Sequence, residues 1–237
     1  MIRALGKPID LIGLIGLLCG ALLLITPERA FTASQAKAMN PITAHRVETQ
    51  GHYVHYLAAG PKTGQSVLFL HGAKYHSGTW KDLGTLEKMA DAGFRAVAID
   101  LPGFGKSAGW KIDVKVFLAE LIDSLKIGRP VIVAPSMSGR IAFPLVVHNP
   151  EKAAGFVPIA ALGTAMWSAR LKDNPLPALV IWGSEDRMFK PAAHQALAAR
   201  FEKSELLMLP GARHAAYLDQ PDRFHEALLK YLAGIDG

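Results

Sequence analysis

The sequence predicts an α/β protein: a mostly parallel sheet with helices on both faces. Three observations predict it. Short continuous apolar runs, such as 66–70 (SVLFL) and 177–183 (PALVIWG), read as strands buried on both sides. Longer amphipathic stretches separate those runs, which is the alternation that parallel strands need for their crossovers. The chain has 237 residues, enough for one substantial core and short for two large ones.

The elements follow in order. Residues 52–58 (HYVHYLA) alternate like a half-buried strand, and 66–70 form the first continuous run. Residues 79–93 (TWKDLGTLEKMADAG) read as one amphipathic helix stopped by glycine. A strand at 94–100, a helix at 114–127 and a strand at 130–134 (PVIVA) come next, and SGRIAFPLVVHNP begins another helix. Strands at 155–160, 177–183 and 204–210 complete the pattern, with helices at 191–201 and 221–233. There is no internal repeat.

Half of the residues are hydrophobic and 19% are charged, as in a globular protein. The net charge is +6: residues 1–38 contribute +2 and the remainder +4, from 22 basic and 18 acidic residues. That mild excess, without a long basic run, reads as a solvated surface and not as a nucleic-acid footprint. The one cysteine, Cys19, lies near the N-terminus. Residues 39–237 therefore have no disulfide, thiolate nucleophile or cysteine metal site.

Arg3 and Lys7 precede a 15-residue uncharged run, 11–25 (LIGLIGLLCGALLLI). Positive residues before an apolar run predict export or membrane attachment through residues 9–25, with an extracytoplasmic body, periplasmic in a bacterium. The run is shorter than a comfortable bilayer span of roughly 20 residues. The small-x-small site Ala36-Lys37-Ala38 lies far beyond it. A cleaved signal and a retained anchor both stay open, with a buried soluble helix as a third reading. Residues 1–38 are thus a signal or anchor with its linker, and 39–237 the functional domain.

In a parallel sheet, ligands bind beyond the carboxyl ends of the strands. The segments there are HGAK after Leu70, DLPGFGKS after Ile99, PSMSG after Ala134, ALGT after Ala160, SED after Gly183 and GARH after Pro210. They hold Ser136, Asp186 and His214, in that chain order. A serine hydroxyl is a poor nucleophile until a base takes its proton. His214 titrates in the right range to be that base, and Asp186 can fix its tautomer and stabilise its charged form. Glu185 is the rival carboxylate. Ser138 falls inside the first helical turn and reads as a small spacer. Backbone N–H groups of Met137, at the helix start, and of Ala73, after the flexible Gly72, are candidate donors to a developing oxyanion. Lys74 and Tyr75 follow and are candidate substrate-lining residues. Lys74 suits either an anionic substrate or open solvent.

These motifs resemble the alpha/beta-hydrolase family. LFLHGAKYHSGTW, AVAIDLPGFGKS, VIVAPSMSG, LVIWGSEDRM and LPGARHAAYLDQPDRF fall in its order of oxyanion loop, fourth-strand loop, nucleophile elbow, acid loop and histidine loop. The resemblance implies the alpha/beta-hydrolase fold, with about eight mostly parallel strands. It makes Ser136, Asp186 and His214 the catalytic triad and Ala73 and Met137 the oxyanion donors. The elbow has Ala134 and Ser138 where the family pattern G-x-S-x-G has glycine. That variant, together with DLGTLEKMADAGFRAVAIDLPG and GFVPIA, is similar to the branch named alpha/beta hydrolase domain-containing protein 14. Only LGTAMWSARLKDN (162–174) stands where larger relatives insert a lid, so the expected site is open and its lid minimal.

The expected activity is that of a serine hydrolase or acyltransferase taking small ester, thioester or amide substrates through an acyl-enzyme. No metal or organic cofactor is called for. The partner is a small-molecule acyl substrate. The competing class is a non-catalytic interaction module on the same scaffold, and a narrower idea is a peroxide-dependent side activity of the same triad.

Overall fold

The computed structural model describes residues 40–189 and 192–235. The expectations for residues 1–38, signal or anchor included, lie outside the described residues. Among the described residues, no helix is long and apolar enough to cross a membrane.

The strands are β1 (Thr43–Thr49), β2 (His52–Ala59), β3 (Ser66–Phe69), β4 (Arg95–Ile99), β5 (Val131–Pro135), β6 (Gly155–Ile159), β7 (Ala178–Gly183) and β8 (Ser204–Leu209). They form one eight-stranded sheet in the order β1-β2-β4-β3-β5-β6-β7-β8. β1, β2 and β4 pair antiparallel, and every pairing from β4 through β3 to β8 is parallel. The alpha/beta-hydrolase fold expected from the motifs is the fold observed.

The period of two along each strand sends alternate side chains to opposite faces. Leu68, Val97, Ile132, Phe156 and Val180 enter one core with Phe117 and Leu121 of α3 (Phe117–Leu125) and Ile141 and Leu145 of α4 (Gly139–His148). Val67, Phe69, Ala98, Val133, Val157 and Ile181 enter the other, on the opposite face. There they meet Trp80 of α1 (Ser77–Asp82), Leu86 and Met89 of α2 (Thr85–Asp91), and Phe224 and Leu228 of α8 (Pro221–Ala233). Short helices α5 (Thr164–Trp167), α6 (Ala193–Ala198) and α7 (Ala216–Asp219) fill the remaining connections.

Three expectations change. The single helix at 79–93 is two helices, because Gly84 takes φ +73° and breaks the hydrogen-bond ladder between α1 and α2. The helix at 191–201 is regular only over Ala193–Ala198. The sequence reading omitted β1, whose residues TAHRVET are mostly exposed and polar. It is the antiparallel edge of the sheet, where one ladder side and both faces touch water, so the apolar signature of the inner strands is absent.

Candidate active site

Ser136 stands immediately beyond β5, in a 3₁₀ turn (Ser136–Ser138) that leads into α4. Its φ is +48°, in the left-handed region that costs a non-glycine residue about 1–2 kcal/mol. The turn is tight because α4 passes close to the segment after β6. A Cβ on Gly139 would lie 2.5 Å from Leu162 O and 2.8 Å from Ala161 Cβ, so the glycine that matters here follows Ser138. Ser138 is fully buried and donates its hydroxyl to Pro135 O at 2.8 Å, which assigns it to the turn.

Asp186 follows β7 and His214 follows β8. The structure brings all three together. His214 Nε2 lies 2.8 Å from Ser136 Oγ, and His214 Nδ1 lies 2.9 Å from Asp186 Oδ2. With Nδ1–H donating to Asp186, Nε2 is free to accept the serine proton. The Asp186 side chain is 1% exposed and that of His214 is 22% exposed. The backbone N–H of Met188 donates to Asp186 Oδ1 at 2.8 Å. The Phe189 ring stacks on His214, with ring centroids 5.9 Å apart.

Two peptide groups beside the Ser136 side chain are held by hydrogen bonds to their carbonyls. A Cβ on Gly72 would stand 3.6 Å from Ser136 Cβ, so the segment after β3 passes directly over Ser136. The Gly72 carbonyl is held by His71 Nδ1 at 2.9 Å and by the Tyr75 N–H at 3.1 Å. In a trans peptide, C=O and N–H point in opposite directions. Holding Gly72 O therefore turns the Ala73 N–H the other way. The Ser136 carbonyl likewise accepts from Leu162 N–H at 2.8 Å, which fixes the Met137 N–H.

His71, two residues beyond β3, is a site residue to which the motifs assign no role. It is fully buried; its Nε2 accepts from Leu101 N–H at 3.0 Å while Nδ1 donates to Gly72 O. Burial pushes its pKa down, in keeping with a neutral ring that uses one nitrogen as donor and one as acceptor. Behind it, buried Asp100 receives Ser77 N–H (2.6 Å), Lys106 N–H (2.8 Å) and His55 Nδ1 (2.8 Å). Burial alone would raise the Asp100 pKa, but these donors hold it below the usual carboxylate range.

The serine opens into a cavity of about 630 Å³. Ala73, Lys74 and Tyr75 line it. Leu162, Met188, Tyr217 and Leu218 give it apolar walls that the sequence reading did not list. At the mouth, Arg213 grips Asp219 through its guanidinium at 2.8 Å and its backbone N–H at 2.8 Å. Those bonds hold the Asp219 carboxyl below its usual range. Tyr217 stacks on Trp80 at 4.8 Å, and burial, then the neighbouring Tyr75, pushes its hydroxyl pKa up. The i to i+6 spacing of Arg213 and Asp219 across a histidine loop is the signal that could have marked the rim. Among the described residues, no cluster of three or more His, Cys, Asp or Glu is placed to hold a metal.

A serine poised on an elbow beside a paired histidine, at the carboxyl edge of this sheet, marks the class: an alpha/beta-fold hydrolase. A family model described as serine aminopeptidase, S33, matches residues 61–170. The human protein named "Putative protein-lysine deacylase ABHD14B" is 36% identical over 200 residues, covering 80% of this chain and 94% of that protein. Mouse ABHD14A is 37% identical over 172 residues, 70% of this chain and 69% of that protein. The chain belongs to this ABHD14 branch of the alpha/beta-hydrolase family. Solved structures share the fold at lower identity. A "predicted CIB-like hydrolase" from Thermoplasma acidophilum superposes with TM-score 0.78 at 21% identity, over 83% of this chain and 100% of that one. The carboxylesterase CesB from Bacillus subtilis gives TM-score 0.73 at 17% identity, over 85% and 96%.

Proposed function

We propose that the protein is a serine hydrolase or acyltransferase that cleaves small ester, thioester or amide acyl groups through a covalent intermediate on Ser136. The observation that carries this reading is the unbroken hydrogen-bond line Ser136 Oγ–His214 Nε2 and His214 Nδ1–Asp186 Oδ2. Ser136 Oγ attacks the carbonyl carbon as His214 Nε2 takes its proton, and Asp186 stabilises the imidazolium. The Ala73 and Met137 N–H groups receive the oxyanion. Collapse expels the alcohol, thiol or amine, which takes the proton from His214. Water or a second acceptor, deprotonated by His214, then attacks the Ser136 acyl ester and frees the enzyme.

The shape of the site supports a substrate reached from outside. The connection from β6 to β7 holds only α5 and a 3₁₀ turn (Ser168–Leu171), so among the described residues this connection puts no larger lid over the cavity. An acyl group on a protruding amine fits such an opening, and the lysine deacylase in the name of the human relative is of that kind. A fluorophosphonate probe tests the reading. Labelling retained in Ser138→Ala and lost in Ser136→Ala is expected; folded wild-type protein that takes no label would overturn it.

We further propose that residues 9–25 act as an export signal or anchor, on the strength of Arg3, Lys7 and the apolar run that follows. Alkaline extraction of membranes and N-terminal sequencing test this. A full-length chain recovered only with soluble cytoplasmic protein rejects both forms.

A further inference from the structure

The edge of the sheet opposite the catalytic residues carries an unusual concentration of charge. A concavity of about 550 Å³ is lined by Lys62, Arg95, Lys126 and Arg129, and no acidic residue lines it. Arg95 is the first residue of β4, Arg129 lies two residues before β5, and Lys62 is in the loop leading to β3. These are the amino ends of β3, β4 and β5, and β5 carries Ser136 at its carboxyl end. Among the described residues, none of the four cations is in an ion pair. Arg95 and Arg129 are steadied through backbone carbonyls, Lys126 O at 3.2 Å and Ala153 O at 3.1 Å, which leaves their charge uncompensated. The neighbouring concavity shares Arg129 and adds Lys203 and Lys230, but with Glu202 and Glu205 beside them. The bare positive charge is therefore local to one place.

The chain reaches the domain at this same edge. Asn40 Nδ2 donates to Ala90 O at the end of α2. The turn after α2 packs so closely on Gly60 and Gly64, which flank Lys62, that a Cβ on either would collide with the Phe94 or Gly93 carbonyl. Fourteen residues, 26–39, lie between the apolar run and Asn40, a tether of at most about 50 Å.

We propose that this basic concavity seats the protein on the phosphate headgroups of an anionic bilayer, leaving the Ser136 edge facing away from the surface. The cations come from three segments, the loop before β3, the start of β4 and the connection from α3 to β5; three are exposed and Arg95 is half-buried, which matches a plane of many phosphates better than one enclosed anion. Each such cation near an anionic leaflet multiplies partitioning by roughly five.

The test is hydrogen exchange on the full-length chain with nanodiscs of phosphatidylcholine alone, or with roughly one-third phosphatidylglycerol. Slowed exchange across 61–66 and 126–130 is expected with the anionic discs only. The variant K62E/K126E changes two lysines that make no described side-chain hydrogen bond, so its fold is retained. It should lose the protection while still taking the fluorophosphonate label. Equal protection on neutral discs, protection unchanged in K62E/K126E, or no protection on either disc would overturn the proposal. So would the same protection from inorganic phosphate or an oligonucleotide without lipid. None of these outcomes bears on the Ser136 chemistry.

Discussion

Gly183 and Arg213 meet backbone to backbone: the position of a Cβ on Gly183 is already occupied by the Arg213 carbonyl oxygen. This contact, with Glu185 N–H donating to Ala212 O at 2.9 Å, clamps the loop of Asp186 to the loop of His214. Gly183→Ala must push the two apart. We expect a loss of about 1–3 kcal/mol of stability from overpacking. Hydrolytic kcat/KM should fall at least about tenfold, because a base displaced by an ångström no longer meets its serine. Thermal melts and ester turnover check both parts.

His71 acts on the site through a carbonyl it never shares with substrate. Removing its ring leaves the Gly72–Ala73 peptide held by the Tyr75 N–H alone. His71→Ala should lower kcat by roughly 10- to 100-fold, a partial loss of one oxyanion donor, with little change in KM. His71→Gln, which offers one amide donor and one carbonyl acceptor, should recover part of that loss. A His71→Ala enzyme with unchanged kcat would show that the Tyr75 contact suffices.

Asp186 and Glu185 are adjacent in sequence and unlike in place. Only Asp186 reaches His214 Nδ1, and Glu185 is exposed. Asp186→Asn should lower kcat by about 10⁴, as expected when the imidazole is locked in the wrong tautomer. Glu185→Gln should change it by no more than about a factor of two, as for an exposed charge. Single-turnover acylation rates separate the two variants.

His225, on α8, is buried against Thr85 of α2, with Nε2 2.9 Å from the hydroxyl. Burial, reinforced by Lys88 and opposed by Asp222, pulls its pKa down to about 4. The unfolded chain therefore takes a proton before the folded one as pH falls through about 6.5. Stability should rise with pH between about 4 and 6.5 and flatten above. On the order of 1–2 kcal/mol should be lost between pH 7 and pH 5. Urea unfolding at the two pH values measures it, and His225→Gln should shrink the difference.

The parallel strands were legible because burial on both faces leaves an uninterrupted apolar run, as in PVIVA and PALVIWG. Ser136 and Asp186 were legible because each follows such a strand, and His214 because it follows the apolar run LLML of the other edge strand, β8. The edge strand β1 was not: exposure erases the pattern. Nor was the break at Gly84, since a positive φ and a mere lapse in helix propensity look alike in sequence. The cavity walls were the least accessible. Leu162, Met188, Tyr217 and Leu218 converge from three short connections. No local periodicity relates residues that meet only because distant strands end side by side.

At Ser136, stability and chemistry pull in opposite directions. The left-handed φ of +48° is imposed on a residue type that resists it, and the surrounding turn bears that cost so that Oγ stands clear of the sheet. Glycine accepts the same backbone without strain. Ser136→Gly should therefore melt higher than the native enzyme while losing all turnover. Selection for thermal resistance alone would put glycine at position 136, so a serine there is a sign that the chain is kept for what it does.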